Sequence, residues 1–136
     1  MTYINLKKAA VWLPEGFEDA AHIARESGVP EHVVSQKMGI VRKCRADRDT
    51  HPGDMAVNAA RKVLKGIDPL SIDMVIWTGS EYKDYLVWTA GIYVQRELGL
   101  KNARAFDISA RCSNKILGLH LAKSVSYTHL TLPTKA

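Results

Sequence analysis

Short, largely apolar runs alternate with amphipathic stretches along this chain. Apolar runs of strand length occur at residues 9–13, 74–77 and 105–108, and such runs are typical of strands covered on both faces. Apolar residues recur at helical spacing at residues 17–27, 55–64 and 87–98. The alternation predicts an α/β domain in which layered helices surround a mixed β-sheet.

Polar and small residues set the expected ends of these elements. We expect Gly28 to end the first helix, and we expect the segment from Val33 to Arg42 to be extended. Asp54 is placed to cap the second helix, which Gly66 ends, because aspartate caps helix starts and glycine follows helix ends.

Residues 103–123 bring strand, turn and helix signals together at one reactive side chain. The third apolar run ends at Ile108, small residues follow, and a largely apolar helix begins near Ser113, which predicts a buried helix. Cys112 therefore falls at a strand-to-helix junction. Free N–H groups and the helix dipole there favour a thiolate and are suited to holding an oxyanion. The alternative is that Cys112 is only a small buried apolar residue.

Composition narrows the classes of function. The 136 residues suit one globular domain, and the net charge is +5. The densest basic stretch, residues 42–48, is interleaved with aspartate and lacks aromatic residues, which disfavours nucleic acid. We expect a solvated loop here, which is suited to attracting an acidic carrier protein or a phosphorylated cofactor. Neither a membrane-spanning run nor a secretory signal layout is visible, so we expect a cytoplasmic protein with no membrane contact.

The cysteines and histidines show no metal-ligand spacing. Cys44 and Cys112 stand apart, and the five histidines are scattered, so we expect no metal site. The sequence leaves a disulfide between Cys44 and Cys112 open. A serine hydrolase is disfavoured because no G-x-S-x-G elbow is present.

Short motifs then follow one another in a recognisable order: Val11-Trp12-Leu13-Pro14, Lys37-Met38-Gly39-Ile40 with Arg42, Met55-Ala56-x-x-Ala59-Ala60, Ile72-Asp73-x-Val75-Ile76, Gln95-x-x-Leu98-Gly99, Ala105-Phe106-Asp107-Ile108 and Cys112. In this order and spacing, residues 5–123 resemble the amino-terminal half of the 3-oxoacyl-acyl-carrier-protein synthase III family. The resemblance implies a thiolase-like fold, truncated after its first half.

The resemblance also implies an activity. Members of this family are acyltransferase-type condensing enzymes, so Cys112 is expected to take an acyl group from an acyl-CoA or acyl-carrier-protein thioester. A Claisen condensation with a malonyl-derived carbon then follows, as part of fatty acid and lipid metabolism. No cofactor beyond the thioester substrates is implied, and the residues that bind coenzyme A are unknown. A homodimer is implied, and a histidine and an asparagine from the second half would complete the site.

Departures from the family pattern bear on the substrate. Val33 stands where better-known members have a tryptophan that stacks on the adenine of coenzyme A, and Asn114 and Lys115 follow Ser113 where a glycine is usual. Lys115 is expected either to face solvent or to line the acyl channel. Glu81 falls near the position of the general acid/base glutamate of the related hydroxymethylglutaryl-CoA synthases. The alternative for Glu81 is a solvated loop residue beside Lys83.

The resemblance predicts the organisation of the chain. Residues 1–124 are predicted to form the amino-terminal half of a condensing-enzyme domain. Residues 125–136 resemble a translated sequencing adapter and are predicted to be a non-native tail. The fragment is expected to be inactive by itself. A non-catalytic module, which docks a carrier protein through residues 42–48, is a further alternative.

Overall fold

A computed structural model of the chain describes residues 5–79 and 84–129, with side chains described as far as residue 126. The chain divides into two compact units. One is Trp12–Thr50, and the other joins the residues up to Val11 with those from His51 onward.

The unit Trp12–Thr50 is built on a short antiparallel hairpin. Strand β1 is Phe17–Asp19, helix α1 is Ala20–Ser27, a π-helical turn covers Val33–Lys37, and strand β2 is Arg42–Cys44. Strands β1 and β2 pair so that Phe17 lies opposite Cys44. Ala20 and Val34 are its buried apolar residues.

Helix α1 begins and ends where local chemistry requires. Asp19 caps the helix start because its Oδ1 accepts the His22 N–H at 2.7 Å. Gly28 ends the helix in a left-handed conformation, with φ 71°, and donates its N–H to Ala24 O at 3.0 Å. The predicted end of this helix is confirmed, although its first three predicted residues form β1 instead.

The prediction of an extended segment was wrong over Val33–Lys37. The Met38 N–H donates to Val33 O at 2.9 Å, which is the bond of a π-helical turn. Because Val34 is fully buried on this turn, tertiary packing outweighs the β preference of its branched side chain.

The second unit contains the remaining elements. Helix α2 is Pro52–Leu64, strand β3 is Met74–Trp77, helix α3 is Ala90–Glu97, strand β4 is Arg104–Asp107 and helix α4 is Asn114–His129. Short 3-10 turns cover Pro69–Ser71 and Arg111–Ser113. Strands β3 and β4 pair in parallel, with Met74 opposite Arg104 and Trp77 opposite Asp107. The predicted strand at residues 74–77 is confirmed.

Helix α3 is fixed to the end of β4 by one carboxylate. Asp107 accepts the Ala90 N–H at 3.0 Å and the Gly91 N–H at 2.8 Å, so it satisfies two amides at the helix start. A Cβ at position 91 would lie 2.9 Å from Phe106 O, so only glycine allows this close approach. The buried residues around this junction include Ala90, Val94 and Ala103.

Two predicted elements differ in the structure. Residues 9–13 form no strand, because no described strand pairs with them, and Lys62 Nζ instead donates to Val11 O at 2.9 Å. The cap of α2 is His51 rather than Asp54. Asp54 lies at the third helical position, where its Oδ2 accepts the His51 N–H at 3.4 Å.

Helix α4 is more exposed than its apolar composition predicts. Ile116, Leu117 and Leu119 have relative exposures of 64%, 46% and 58%, because only one side of the helix packs on described residues. The helix continues to His129, past the predicted boundary at residue 124. Helical conformation does not test whether those residues are native, so that boundary stays a prediction.

The described strands form two separate two-stranded sheets, one antiparallel and one parallel. No helix within residues 5–79 and 84–129 is both long and apolar enough to cross a membrane.

Gln95 closes the turn between α3 and β4, and we predict that this turn depends on it. Its Nε2 donates to Ala103 O at 2.6 Å and to Leu100 O at 3.3 Å. Gln95→Ala removes the hydrogen-bond donor to the carbonyl of Ala103, which is a buried residue. The variant should therefore lower the free energy of unfolding by roughly 1–3 kcal/mol. Urea denaturation measures this change. Gln36→Ala, at an exposed glutamine, is the matched control, and an equal effect of both variants contradicts the prediction.

Candidate active site around Cys112

The parallel pairing of β3 and β4 brings two loop starts to one edge of the sheet. The Ile108 N–H donates to Trp77 O at 3.0 Å, which extends the pairing one residue beyond β4. Thr78 and Gly79 therefore begin their loop beside the segment that leads to Cys112. This edge, at the carboxyl ends of parallel strands, is where α/β folds commonly bind ligands.

Cys112 lies in the 3-10 turn Arg111–Ser113 that joins β4 to α4. The predicted strand-to-helix junction is thus where the structure places it. The Cys112 side chain is an exposed, free thiol, as is that of Cys44. The alternative of a buried apolar cysteine does not hold, and the two cysteines form no disulfide.

The amide groups near Cys112 are partly used by the turn itself. The Ser113 N–H donates to Ala110 O at 3.1 Å, and the Asn114 N–H donates to Arg111 O. The sequence predicted free N–H groups at this junction, and these two are bonded within the turn. The Cys112 N–H makes no hydrogen bond to the backbone in the described part of the chain, which leaves one amide directly at the thiol.

Arg111, directly before the cysteine, has a left-handed backbone with φ 48°. A non-glycine residue in this region costs about 1–3 kcal/mol and persists only where its surroundings hold it, often at functional sites. Sequence analysis missed this strain, since arginine gives no signal for a left-handed conformation.

The buried side chain of Asn114 fixes the turn that carries Cys112. It is only 2% exposed, and its Oδ1 accepts the Ala110 N–H. Its Nδ2 donates to Gly79 O at 2.5 Å. One signal for Asn114 was visible in the sequence, since it stands where the resembled family usually has glycine. The bridge from Ala110 to Gly79 was not.

One helical turn later, Gly118 brings α4 against the same edge. A Cβ at position 118 would lie 2.5 Å from the Cγ2 atom of Thr78. Asn114 and Gly118 therefore fix the start of α4 to the end of β3 through one buried amide and one close contact. Lys115 is exposed, which agrees with the solvent-facing alternative for this residue.

Glu81, the candidate general acid/base, lies outside the described residues. The same holds for Lys83, its proposed neighbour in the solvated-loop alternative. The structure therefore neither brings Glu81 to Cys112 nor separates them.

Comparison with known proteins gives this geometry a context. No family model matches the chain. Beta-ketoacyl-[acyl-carrier-protein] synthase III of Lactobacillus delbrueckii subsp. bulgaricus is 28% identical over 125 residues, which are 92% of this chain and 39% of the relative. The chain is a relative of beta-ketoacyl-[acyl-carrier-protein] synthase III. It spans about two fifths of the length of the curated relatives that it matches.

Solved structures agree with this relationship. The 3-oxoacyl-(acyl carrier protein) synthase III of Pseudomonas aeruginosa PAO1 matches with a TM-score of 0.75 and 27% identity, over 90% of this chain and 39% of that one. An HMG-CoA synthase complexed with CoA matches with a TM-score of 0.80 and 22% identity, over 90% of this chain and 31% of that one. At that identity, the second likeness shows the fold alone. The predicted resemblance to the amino-terminal half of the synthase III family and the thiolase-like fold are confirmed.

The basic stretch is partly neutralised by one carboxylate. Glu18 on β1 accepts from Lys43 Nζ at 3.0 Å and from Arg45 Nη1 at 3.3 Å. The hydrogen bond from Lys43 and the charges of Lys43 and Arg45 hold the pKa of Glu18 below its usual value. Arg42 lies over the Phe17 ring, 5.6 Å from its centroid. Residues 42–45 therefore belong to a structured hairpin surface, which corrects the expected solvated loop over that part of the stretch.

A second polar pair, which sequence analysis missed, joins α3 to α2. Tyr93 donates its hydroxyl proton to Asp54 Oδ1 at 2.5 Å. This hydrogen bond, with some burial and the Asp54 charge, raises the pKa of Tyr93 to about 12. Because the folded-state pKa is raised, the stabilising effect is complete below the ordinary tyrosine pKa of about 10. It is lost as the pH rises through about 12.

This pair predicts a late-ionising tyrosine. In a spectrophotometric titration, one of the five tyrosines should form tyrosinate only near pH 12. Tyr93→Phe should remove that step, whereas Tyr85→Phe, which alters an exposed ring, should leave it. A titration in which the Tyr93→Phe curve keeps the late step would show that Tyr93 is not the shifted group.

Proposed function

We propose that this chain carries the nucleophile of a condensing enzyme that acts on thioesters, with Cys112 as the acyl acceptor. The observation that carries the proposal is an exposed thiol on a fixed, strained turn at the carboxyl edge of a parallel strand pair. Relatives named as synthases of beta-ketoacyl-acyl-carrier-protein support the type of chemistry. A positioned thiolate suits such chemistry because it attacks a thioester carbonyl and also leaves readily.

The proposed reaction has two balanced steps. In the first, Cys112 Sγ attacks the acyl thioester carbonyl, and a new carbon–sulfur bond forms. The donor's own carbon–sulfur bond breaks, and the donor leaves as a thiolate that takes up the proton lost by Cys112. In the second, a malonyl thioester loses CO2, and its α-carbon attacks the acyl-Cys112 carbonyl. A carbon–carbon bond forms while the bond to Sγ breaks, which returns the thiolate. The Cys112 N–H is suited to donate to the oxyanion formed in either step.

The chain supplies only part of the proposed site. The resemblance implies that a histidine and an asparagine from the second half complete it, and neither is assigned to a residue here. We therefore propose that the chain by itself accepts an acyl group but completes no condensation.

Acylation gives the direct test of this proposal. After incubation with acetyl-CoA or acetyl-carrier-protein, peptide mass analysis should find an acetyl group on Cys112 and none on Cys44. Cys112→Ser should abolish the thioester adduct, whereas Cys44→Ser should retain it. Equal acylation of both cysteines, or none, would contradict the proposal.

We also propose that an acidic carrier protein bears the acyl group and docks on the hairpin β1–β2. Opposite charge promotes such docking and makes it sensitive to salt. Glu18 is a competing carboxylate on this surface, since it already pairs with Lys43 and Arg45. A carrier that binds here must therefore share these cations with Glu18.

Charge changes on the hairpin should move carrier affinity in opposite directions. Charge reversal at Arg42, Lys43 and Arg45 should weaken binding and flatten its salt dependence, whereas Glu18→Gln should strengthen it several-fold by freeing two cations. Binding is measured by titration calorimetry at two salt concentrations. Arg61→Glu, on α2, is the control. Unchanged affinity in all the hairpin variants would exclude this docking surface.

A homodimer is part of the proposal, since the resemblance implies one formed through the strand before Cys112. Within the described residues, β4 pairs only with β3, so its other edge is available for such pairing. As the alternative reaction, we propose an HMG-CoA synthase-like condensation in which Glu81 acts as general acid/base.

The Glu81 alternative has its own test in a protein that includes the second half of the fold. A glutamate that moves the acetyl methyl proton is essential to condensation but not to acylation. Glu81→Gln should then retain the acyl-Cys112 adduct and lose condensation. If the variant condenses at the parent rate, the HMG-CoA synthase-like alternative is excluded.

A further inference from the structure

Asn114 is the one fully buried polar side chain among the described residues, with a relative exposure of 2%. Buried amides are costly unless both of their polar atoms are bonded. Here both are bonded, because Oδ1 accepts the Ala110 N–H and Nδ2 donates to Gly79 O at 2.5 Å. The residue is therefore built into the site rather than tolerated there.

The two hydrogen bonds of the Asn114 side chain fix the turn that carries Cys112. Ala110 and Asn114 stand two residues before and two residues after Cys112, so the bond between them closes the turn around it. The Ser113 N–H to Ala110 O bond, at 3.1 Å, tightens the same loop. The second side-chain bond ties this loop to Gly79, 35 residues earlier in the chain. The turn is thus fixed both in shape and relative to β3.

The closure has two consequences at the thiol. It removes the Ala110 N–H from any substrate oxygen, while the Cys112 N–H remains without a backbone partner in the described region. It also supplies one of the surrounding contacts that a left-handed Arg111 requires in order to persist.

We infer that Asn114 is a positioning residue that orients Cys112 for reaction with a bound thioester. This inference rests on the proposed acyl transfer at Cys112. A neutral amide suits the task because it offers one donor and one acceptor without placing a charge beside the thiolate. An aspartate keeps the acceptor for the Ala110 N–H, and a glycine leaves both Ala110 N–H and Gly79 O without this partner.

The test uses the full chain with Cys44→Ser, so that Cys112 is the only thiol. Three variants are compared in this background: Asn114→Gly, Asn114→Asp and the control Asn102→Gly. Asn102 is also an asparagine that donates to a backbone carbonyl, Leu70 O at 2.8 Å, but it is exposed. Each is measured for acyl transfer from acetyl-CoA and for alkylation by iodoacetamide across pH.

A positioning role predicts a split between the two reactions. Asn114→Gly should slow acyl transfer about tenfold or more, because misplacement of a reacting group is costly for a bound substrate. Iodoacetamide needs no positioning, so its plateau rate should change less than about twofold on the same reasoning. Asn114→Asp should slow acyl transfer less than Asn114→Gly does, because its carboxyl group still accepts the Ala110 N–H. Asn102→Gly should leave all these values unchanged.

Hydrogen exchange of the parent chain separates the possible failures. The Ala110 amide should be protected, and an unprotected Ala110 overturns the inference even if the Asn114 variants do not fold. An Asn114→Gly variant that transfers the acetyl group at the rate of the Asn102→Gly control also overturns it. Absence of acyl transfer in the parent contradicts the proposed function instead, while the exchange and alkylation results still decide whether Asn114 fixes the turn.

Discussion

The parallel pairing of β3 with β4 is the constraint on which the Cys112 region depends. Because the strands run in the same direction, Gly79 and Ala110 leave the sheet at one edge, and a single side chain, Asn114, spans both. The same pairing places Asp107 where it receives the first amides of α3. A register shift would separate these groups together, so the sheet, the helix starts and the cysteine turn form one cooperative arrangement.

Elements with strong local signals were predictable from sequence, and elements that depend on distant partners were not. Strand β3 and the end of α1 at Gly28 follow from an apolar run and a left-handed glycine. The apolar run at residues 9–13 carried an equally good strand signal, but a strand needs a neighbour, and no described strand supplies one. The turn at Val33–Lys37 shows the reverse case, in which burial of Val34 outweighed a local β preference.

The candidate site also contains features that follow from local sequence and features that depend on distant contacts. The position of Cys112 at a strand-to-helix junction followed from residue order alone, and its exposure then removed the alternative of a buried cysteine. The left-handed Arg111 and the Asn114 bridge could not be foreseen, since the second depends on a contact 35 residues away. The amides first expected to stabilise an oxyanion are largely bonded within the turn. The chemistry therefore rests on fewer groups, held more rigidly, than the sequence indicated.

We propose that Cys112, unlike Cys44, reacts as part of a thioester site. The most direct measurement is the alkylation rate of each cysteine in one molecule, with and without saturating acyl-CoA, read by peptide mass. Acyl-CoA should slow alkylation of Cys112 strongly and leave alkylation of Cys44 unchanged. Equal rates at Cys112 with and without the thioester would contradict it.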